Sequence, residues 1–305
     1  MNTIVVALCL AVFPSASRVA QEPPKPEPAP APKSEVVRAS EWPKLAADVL
    51  ATVNSDIQRL RKAGTETMGE QAHAALVAAG AGVAPLLVPV LGKEKDPSAL
   101  DRCTAVLDLI TGAEHTRLMA VFFADKSSAV RAWALLRCAK FPDAGVAALA
   151  EEALVKAKAI RDKDPKAEGS AEELYAAALC TTATGSHKAL PMLADYALAK
   201  WGKYGGEIRT ALTAVRDDEA TEFAGKWAAD ADRKKCVAGL NLLAGCGTKG
   251  KGVALVRPHL DNTDNSIRVA AINAMRGIVD NDPPIANLPV FEAIELAKKW
   301  KERAH

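Results

Sequence analysis

The stretch Gly252–Val279, GVALVRPHLDNTDNSIRVAAINAMRGIV, indicates two consecutive helices separated by a short polar turn. In its second half, apolar side chains recur at Ile267, Ala270, Ala271 and Ala274. This i, i+3, i+4, i+7 spacing marks one face of an amphipathic helix. A single helix pair cannot bury such a face by itself, so the stretch requires neighbours of the same kind.

The same two-helix pattern recurs along the chain. The first helices begin near residues 82, 115, 145, 188, 219 and 252, at intervals of 33, 30, 43, 31 and 33 residues. A second amphipathic segment follows each of them, beginning at Ser98, Ser128, Ser170, Gly205, Asp232 and Ser266. Because stacked pairs bury one continuous apolar face, the period predicts an all-α fold, an α-solenoid of about six to seven antiparallel helix pairs with capping helices.

The composition favours helices over strands. Apolar residues make up 49 % of the 305 residues, whereas aromatic residues make up only 5 %. Alanine and leucine are strong helix formers, while strands favour β-branched and aromatic residues. The chain carries 39 basic and 37 acidic residues, and this near balance argues against a nucleic acid as the main partner.

Short motifs within the second helices resemble the HEAT-repeat family. Val130-Arg131-Ala132, with Asp125 six residues before the arginine, looks like the second helix of such a repeat. Further matches are Ile267-Arg268-Val269-Ala270-Ala271 with Asp261 and Asp264 before it, Ile208-Arg209, and the first-helix prolines Pro85, Pro191 and Pro258. The likeness spans residues 65 to 280 and departs from the pattern at Leu100-Asp101 and Glu172-Glu173, where no arginine follows the apolar residue.

The resemblance implies that residues 35–305 form one HEAT-like helical repeat domain. In that family, aspartates and arginines of adjacent repeats form a ladder of charge-assisted hydrogen bonds. If this carries over, four residues are structural rather than ligand-binding: Asp125, Arg131, Arg209 and Arg268.

The ends of the array and one interruption are also predicted. A helix over residues 41–62 pairs with one over 67–79, and a helix over 288–303 closes the array with Phe291 and Trp300 available to cover the last repeat. Residues 156–169, KAKAIRDKDPKAEG, are predicted to be a solvated loop because they are highly charged and contain Pro165. As a loop inserted into a repeat array, this segment is also a candidate contact with a partner.

Polar residues stand where helix N-caps belong. The predicted caps are Ser98, Ser128, Ser170, Asp232 and Asn265. Ser170 with Glu173 has the spacing of a capping box.

The N-terminal residues predict an exported protein. Residues 1–20 are interpreted as a signal peptide, because the apolar run Ile4–Phe13 is shorter than the roughly 20 residues that a membrane span needs. Residues 21–34, QEPPKPEPAPAPKS, are predicted to be an extended proline-rich linker. No later segment is predicted to span a membrane, so the mature chain is predicted to be periplasmic or extracellular.

No motif of established chemistry occurs in the sequence. It contains no GxGxxG, P-loop, HExxH or GxSxG pattern, and the glycine-rich stretch Gly245–Gly252 is interpreted as a helix end and a turn that uses positive φ angles. The five cysteines after Cys9 lie among alanines and leucines, which predicts small buried side chains, with a pairing of Cys236 and Cys246 as the weaker alternative. The sequence therefore predicts no catalytic residue, no cofactor and no metal.

These observations favour a non-catalytic scaffold that binds a protein partner on the concave surface formed by its second helices. Helical phase gives the candidate binding residues as Arg102, Arg137, Tyr175, Arg216, Asn241, Asn273 and Arg276. One alternative is an accessory subunit or a lyase-like enzyme of the cell envelope, since some HEAT-like proteins belong to lyase systems that attach bilins to cysteines. Another is a structural role in the envelope through the proline-rich linker. The sequence leaves a small-molecule ligand open.

Overall fold

A computed structural model describes residues 39–303, and every regular element among them is helical. The predicted signal peptide 1–20 and linker 21–34 lie outside the described residues. The α-helices α1 to α14, in chain order, are Ala47–Arg61, Glu66–Ala79, Ala84–Leu91, Pro97–Ile110, Thr116–Ala120, Ser128–Lys140, Ala147–Lys163, Ser170–Ala183, Leu190–Leu212, Asp218–Ala228, Arg233–Cys246, Lys249–Val256, Asn265–Met275 and Val290–Arg303. The prediction of an all-α fold is confirmed for this part of the chain.

Helices that follow one another in the chain pack together in pairs. Helix α1 contacts α2, α3 contacts α4, α5 contacts α6, α7 contacts α8, α10 contacts α11, and α12 contacts α13. The second helices also contact each other in chain order, since α6 touches α8, α8 touches α9, α9 touches α11, and α11 touches α13. The predicted pairs whose first helices begin near residues 82, 115, 145, 219 and 252 are therefore present, and the second helices form a continuous packed row from α6 to α13.

The apolar core runs along this row. Each second helix contributes at least one large side chain with 2 % exposure or less: Leu107, Leu135, Leu179, Ile208, Leu243 and Ile272. Burying one such side chain stabilises the fold by about 1.5–3 kcal/mol. Small alanines such as Ala178 and Ala271 are fully buried between them, which allows neighbouring helices to approach closely.

Helix α9 unites two predicted helices. Its span Leu190–Leu212 includes Lys200, whose φ of −152° and ψ of 51° interrupt the helical geometry. The two predicted helices are thus separated only by a kink at one residue. The part after the kink has the role of a second helix, because it packs against the row.

Helix α7 corrects the prediction for residues 156–169. It continues to Lys163, so only residues 164–169 are outside a helix. Ion pairs at i, i+4 support the exposed helical extension, with 2.7 Å between Lys156 Nζ and Glu152 Oε1 and 2.6 Å between Lys158 Nζ and Asp162 Oδ2. The charged residues 156–163 therefore belong to a solvent-exposed helix and not to a loop.

The helix caps differ from most of the predicted ones. Asp232 caps α11 as predicted, since its carboxylate accepts a hydrogen bond from Lys235 N at 2.9 Å. The other predicted residues lie inside their helices, and the caps of α4, α6, α8 and α13 are Asp96, Ser127, Gly169 and Asp264. Gly169 has a φ of 72°, a left-handed conformation that glycine adopts without strain.

The terminal helices are shorter than predicted. Residues 41–46 are irregular, and helix α1 begins only at Ala47. Pro43 disfavours the α region for the residue before it, so no helix forms through Trp42. Helix α14 begins at Val290 and buries Trp300, but Phe291 is 84 % exposed. The prediction that Phe291 covers the last repeat is therefore wrong, since α14 turns this side chain away from α13.

The stretch Gly245–Gly252 is a helix end and a turn, as predicted, but for another reason. Gly247 has a φ of −64°, so no positive φ is required there. A Cβ at this position would instead lie 2.6 Å from Leu243 O and 2.8 Å from Ile278 Cδ1. The glycine allows the close approach of the turn to the π-helical residues Arg276–Asp280.

One stretch within residues 39–303, Glu66–Leu91, is long and apolar enough to cross a membrane by length and composition alone. Gly80 interrupts it with a φ of 74°, and Leu76 and Leu87 are fully buried in the core. Buried core helices of soluble proteins meet the same criteria of length and composition, and this stretch contributes to the core.

Candidate binding groove

Two adjoining cavities follow the row of second helices. The larger, of ≈ 1160 Å³, lies against the second half of α9, α11, α13 and the irregular residues 281–288. The smaller, of ≈ 470 Å³, lies against α4, α6, α8 and the second half of α9. Gly206 and Thr210 line both cavities, so we describe the two together as the groove.

The larger cavity presents uncharged polar groups and one aromatic ring. Its polar side chains include Thr210, Thr213, Asn241 and Asn273, and Trp201 lies among them. Arg209 also lines the cavity, but its guanidinium donates a hydrogen bond to the carbonyl oxygen of Asp282. These groups suit hydrogen bonding to a neutral ligand better than pairing with a strongly charged one.

Glycines leave one wall of the groove without side chains. A Cβ at Gly202 or Gly206 would meet no other atom within 4 Å, so these positions face open space. At Gly205 a Cβ would lie 2.6 Å from Trp201 Cε2, because the indole ring packs over this residue. The glycines therefore leave room beside α9 and fix the position of Trp201.

Asn273 forms two hydrogen bonds with the main chain of the irregular segment 281–288. Its Oδ1 accepts from Ile285 N at 2.8 Å, and its Nδ2 donates to Ile285 O at 3.3 Å. One asparagine side chain thus binds both polar groups of a single peptide residue. Asn241 lines the same cavity, and its side chain has no hydrogen-bond partner among residues 39–303.

The structure brings together only part of the predicted binding set. Asn241 and Asn273 line the larger cavity, and Arg137 lines the smaller one. Arg102 lines a separate cavity of ≈ 510 Å³ beside α1 and α2. The remaining predicted residues, Tyr175, Arg216 and Arg276, line neither cavity of the groove.

Three of the predicted arginines cap the C-terminal ends of neighbouring helices. Arg102 donates to Leu60 O at 2.7 Å and to Arg61 O at 3.0 Å, at the end of α1. Arg137 donates to Asp108 O at 2.9 Å and to Thr111 O at the end of α4. Arg216 donates to Gly245 O at 3.0 Å, one residue before α11 ends. These carbonyls have no partner within their own helix, and a cation also complements the negative end of the helix dipole.

Arg137 and Tyr175 are buried rather than exposed, which corrects the prediction from helical phase. Arg137 is 4 % exposed because its long side chain crosses to α4. Tyr175 packs against Tyr196 and Tyr204 with ring centroids 4.9 and 4.2 Å away, so the three tyrosines of the chain form one cluster. Burial, together with the hydrogen bond of 2.7 Å from its hydroxyl to Glu207 Oε2, raises the pKa of Tyr175.

Arg276 also interacts with residues that follow it closely in the chain. Its Nε donates to Pro283 O at 3.2 Å, and its guanidinium lies 3.1 Å from Asp282 Oδ2. The arginine therefore holds the start of the segment that forms one wall of the larger cavity.

The arginines predicted to form a ladder are structural, but their partners differ from the prediction. Arg131 and Arg268 each donate to a carbonyl oxygen six residues earlier, at 2.6 Å to Asp125 and 2.8 Å to Asn262. The carboxylate of Asp125 instead accepts from Ser127 N at 2.8 Å. The ion pair of Arg131 is with Glu173, so Glu173 is not available for the predicted capping box.

The cysteines are buried and unpaired, as predicted for small core side chains. All five after residue 102 have free thiols, and Cys236 and Cys246 lie in the same helix. Burial raises the pKa of the Cys103 thiol to about 11 and those of Cys180 and Cys246 to about 12. Thiols with such values are poor nucleophiles at neutral pH.

One cysteine has a histidine neighbour. The Sγ atom of Cys236 lies 3.8 Å from Nδ1 of His259. Burial raises the pKa of the thiol and lowers that of the imidazole. Both shifts disfavour the thiolate and imidazolium of an activated cysteine nucleophile.

The groove contains residues that helical phase alone did not identify. These are Trp201, Gly202, Gly206 and the segment 281–288. The signal in the sequence was the run Trp201-Gly202-Lys203-Tyr204-Gly205-Gly206, because three glycines within one helix are costly unless a close approach or an open surface requires them.

Within the described residues, no group of three or more His, Cys, Asp or Glu side chains lies together as metal ligands would. No protein-family model, no curated protein and no solved structure matches the chain.

Proposed function

We propose that this protein is an exported, HEAT-like α-solenoid scaffold that binds a protein partner in the groove along its second helices. The observation that carries the proposal is the continuity of the two cavities at Gly206 and Thr210. Repeat arrays use such extended surfaces to bind partners, because successive repeats place equivalent helices side by side.

The packing of the helices supports the solenoid part of the proposal. From α6 to α13 the second helices contact their neighbours in chain order, as the helices of a linear array of repeats do. Arg102 and Arg137 join α4 and α6 to the ends of α1 and α4, and Arg216, between α9 and α10, binds the end of α11, so hydrogen bonds as well as apolar contacts fix the spacing of these helices.

The non-catalytic part is supported by the chemistry of the groove lining. The larger cavity offers amides and hydroxyls, and the one guanidinium among its lining residues, that of Arg209, donates to the carbonyl oxygen of Asp282. Export is supported by the sequence of residues 1–34, in which an apolar run is followed by small residues and then by a proline-rich stretch.

A capture experiment with matched variants tests this function. Full-length protein with a C-terminal tag is used to capture partners from a cell-envelope fraction of its source cells. The Gly206→Trp variant fills the groove where its two cavities meet, and we expect it to lose a protein that the unmodified chain retains.

Gly250→Trp is the matched control, because a Cβ at Gly250 also meets nothing within 4 Å, and this residue lies on the first helix α12. We expect it to capture the partner normally. A partner retained equally by both variants, or lost equally by both, would contradict binding in the groove.

A further inference from the structure

We propose that Cys236 and His259 together bind one Cu(I) ion, with Sγ of the cysteine and Nδ1 of the histidine as its two protein ligands. These two atoms lie 3.8 Å apart. Neither residue lines either cavity of the groove, so the metal site is separate from the surface proposed to bind a protein partner and is independent of that function.

Two different helical elements hold the two donor atoms in place. Cys236 lies in the first turn of α11, where its main-chain N–H donates to Asp232 O at 2.9 Å. His259 lies in the short helix Arg257–Asp261, which follows α12. Because 23 residues separate the two donors in the chain, no local motif in the sequence indicated the pair.

The separation of the two donor atoms fits a shared metal ion better than a hydrogen bond. A thiol is a weak donor, so a distance of 3.8 Å leaves at most a weak S–H···N contact. Metal bonds of about 2.3 Å to sulfur and about 2.05 Å to nitrogen place the two atoms about 3.8 Å apart when the angle at the metal is about 120°. The two side chains therefore already have the spacing of a trigonal metal site.

The number and the kind of these donors select Cu(I). Thiolate ligands favour soft ions such as Cu(I), and imidazole binds copper as well. Zn(II) takes four ligands in structural sites and three protein ligands in catalytic ones. Within the described residues, no third His, Cys, Asp or Glu completes such a set. Two protein donors are therefore too few for Zn(II), but they suffice for Cu(I), which accepts a low coordination number.

The charges around the thiol also favour a cation. Burial raises the pKa of the Cys236 thiol, and the negative charges of Asp230 and Asp264 raise it further. Arg233 lies 2.7 Å from Asp264 and Lys235 lies 3.5 Å from Asp230, so this negative charge is compensated in part. Charges that disfavour a bare thiolate favour a positive ion beside it. One proton leaves the thiol for the solvent as the Cu–S bond forms, and the ion then neutralises the thiolate.

Cys236 differs from other buried cysteines in its surroundings. Cys138 and Cys246 are 1 % exposed or less, and their thiols donate to main-chain carbonyl oxygens at 3.5 Å. Carbonyl oxygen suits hard ions such as Mg²⁺ and Ca²⁺ rather than soft ones. His259, in contrast, is half-buried, and the neighbouring Pro258 is exposed. An ion can therefore reach the Cys236–His259 pair from the surface.

An anaerobic competition titration on the full-length protein tests the site. The probe is Cu(I) held as its coloured bicinchoninate complex, and loss of the colour measures transfer of the metal to the protein. Cys9 is replaced by serine in every sample, so that only the thiols of the described residues take part. We expect one Cu(I) per chain to be transferred, and an about tenfold excess of Zn(II) should not displace it.

Matched variants locate the bound ion. Cys236→Ala should weaken Cu(I) binding at least about a hundredfold, and His259→Gln at least about tenfold, since each removes one of the two ligands. Cys103→Ala and His73→Gln are the controls, because they remove a thiol from α4 and an imidazole from α2. Both controls should bind Cu(I) as the unmodified chain does.

Nuclear magnetic resonance of the histidine rings tests the second ligand without removing the thiol. Long-range proton–nitrogen spectra are recorded with Ag(I), a redox-inert substitute for Cu(I). We expect Nδ1 of His259 to shift when Ag(I) is added and the other imidazoles to keep their positions. The His259→Gln variant assigns the signal by its absence.

Four results would each overturn the proposal. These are no transfer of Cu(I) from bicinchoninate, equal Cu(I) affinity of Cys236→Ala and the unmodified chain, displacement of the ion by Zn(II), and an unshifted Nδ1 of His259. The last result would mean that the contact between the two side chains is only a weak hydrogen bond.

Discussion

Arg131 holds both carboxylate oxygens of Glu173, with 2.6 Å from Nε to Oε1 and 2.6 Å from Nη2 to Oε2. The two residues lie on the contacting second helices α6 and α8, and their side chains are only 16 % and 4 % exposed. The pair therefore joins helices α6 and α8 through a buried, bidentate ion pair.

Replacing one member of this pair should destabilise the protein strongly. Glu173→Ala leaves the Arg131 guanidinium with an unpaired charge in a largely buried place, so we expect the free energy of unfolding to fall by about 3–5 kcal/mol. Urea unfolding, followed by circular dichroism, measures this fall in the free energy of unfolding. The double variant Arg131→Met with Glu173→Leu should lose less, and a double variant that loses as much as the sum of both single ones would contradict this account.

Arg137 should matter for stability more than an exposed cation does. Arg137→Met removes the donors to Asp108 O and Thr111 O, and we expect a loss of about 3 kcal/mol because these carbonyls are left without partners. Lys158→Met, at an exposed ion pair with Asp162, is the control and should cost less than about 1 kcal/mol. Similar losses in both variants would show that the arginine does not cap α4 in solution.

Two helical glycines should respond oppositely to alanine. Gly206→Ala places a Cβ in open space and should raise stability by about 0.5–1 kcal/mol, since alanine is the better helix former. Gly239→Ala should lower stability, because its Cβ would collide with the backbone nitrogen of Ala228. Thermal melting measures the change in stability of each variant. A destabilised Gly206→Ala would mean that the wall of the groove is not open.

Glu94 should contribute to stability at neutral pH and lose this contribution in acid. The hydrogen bond from Arg61, at 2.7 Å, and the backbone N–H groups of Asp96 and Lys95 lower the pKa of Glu94 below its ordinary 4.5. A carboxyl whose pKa is lowered by folding stabilises the protein above its unfolded pKa and loses this effect as the pH falls through its folded pKa.

Urea midpoints between pH 7 and pH 3 test this effect. The difference between the unmodified protein and Glu94→Gln should be largest at pH 7 and should shrink below pH 4.5. Glu70→Gln is the control, because Glu70 has no ion pair among residues 39–303. A difference at Glu94 that does not change with pH would contradict the assignment.

The repeat period in the sequence was sufficient to predict the helix pairs. Buried positions such as Ile267, Ala270, Ala271 and Ala274 are all on the predicted apolar face. Residues 156–163 were misjudged because an exposed charged helix and a charged loop have similar compositions. The N-caps were displaced because Asp96 and Asp264, one or two residues before the predicted caps, accept from the first free N–H groups.

The lining of the groove was predicted only in part. Helical phase placed Asn241 and Asn273 on the side of the larger cavity, since a short side chain stays on the side from which it leaves the helix. It did not predict the carbonyl partners of Arg102, Arg137 and Arg216, because a long side chain can cross to the end of another helix. The wall formed by residues 281–288 could not be predicted, since its position depends on tertiary contacts with Asn273 and Arg276.

The central claim is that the protein binds its partner along the second helices, and site-specific photo-crosslinking in its source cells tests this most directly. A photoreactive residue at Thr210 lies in both cavities, whereas one at Val121, which is 73 % exposed, lines neither. We predict a crosslinked protein partner from position 210 and none from position 121. A partner crosslinked from position 121 but not from position 210 would contradict the claim.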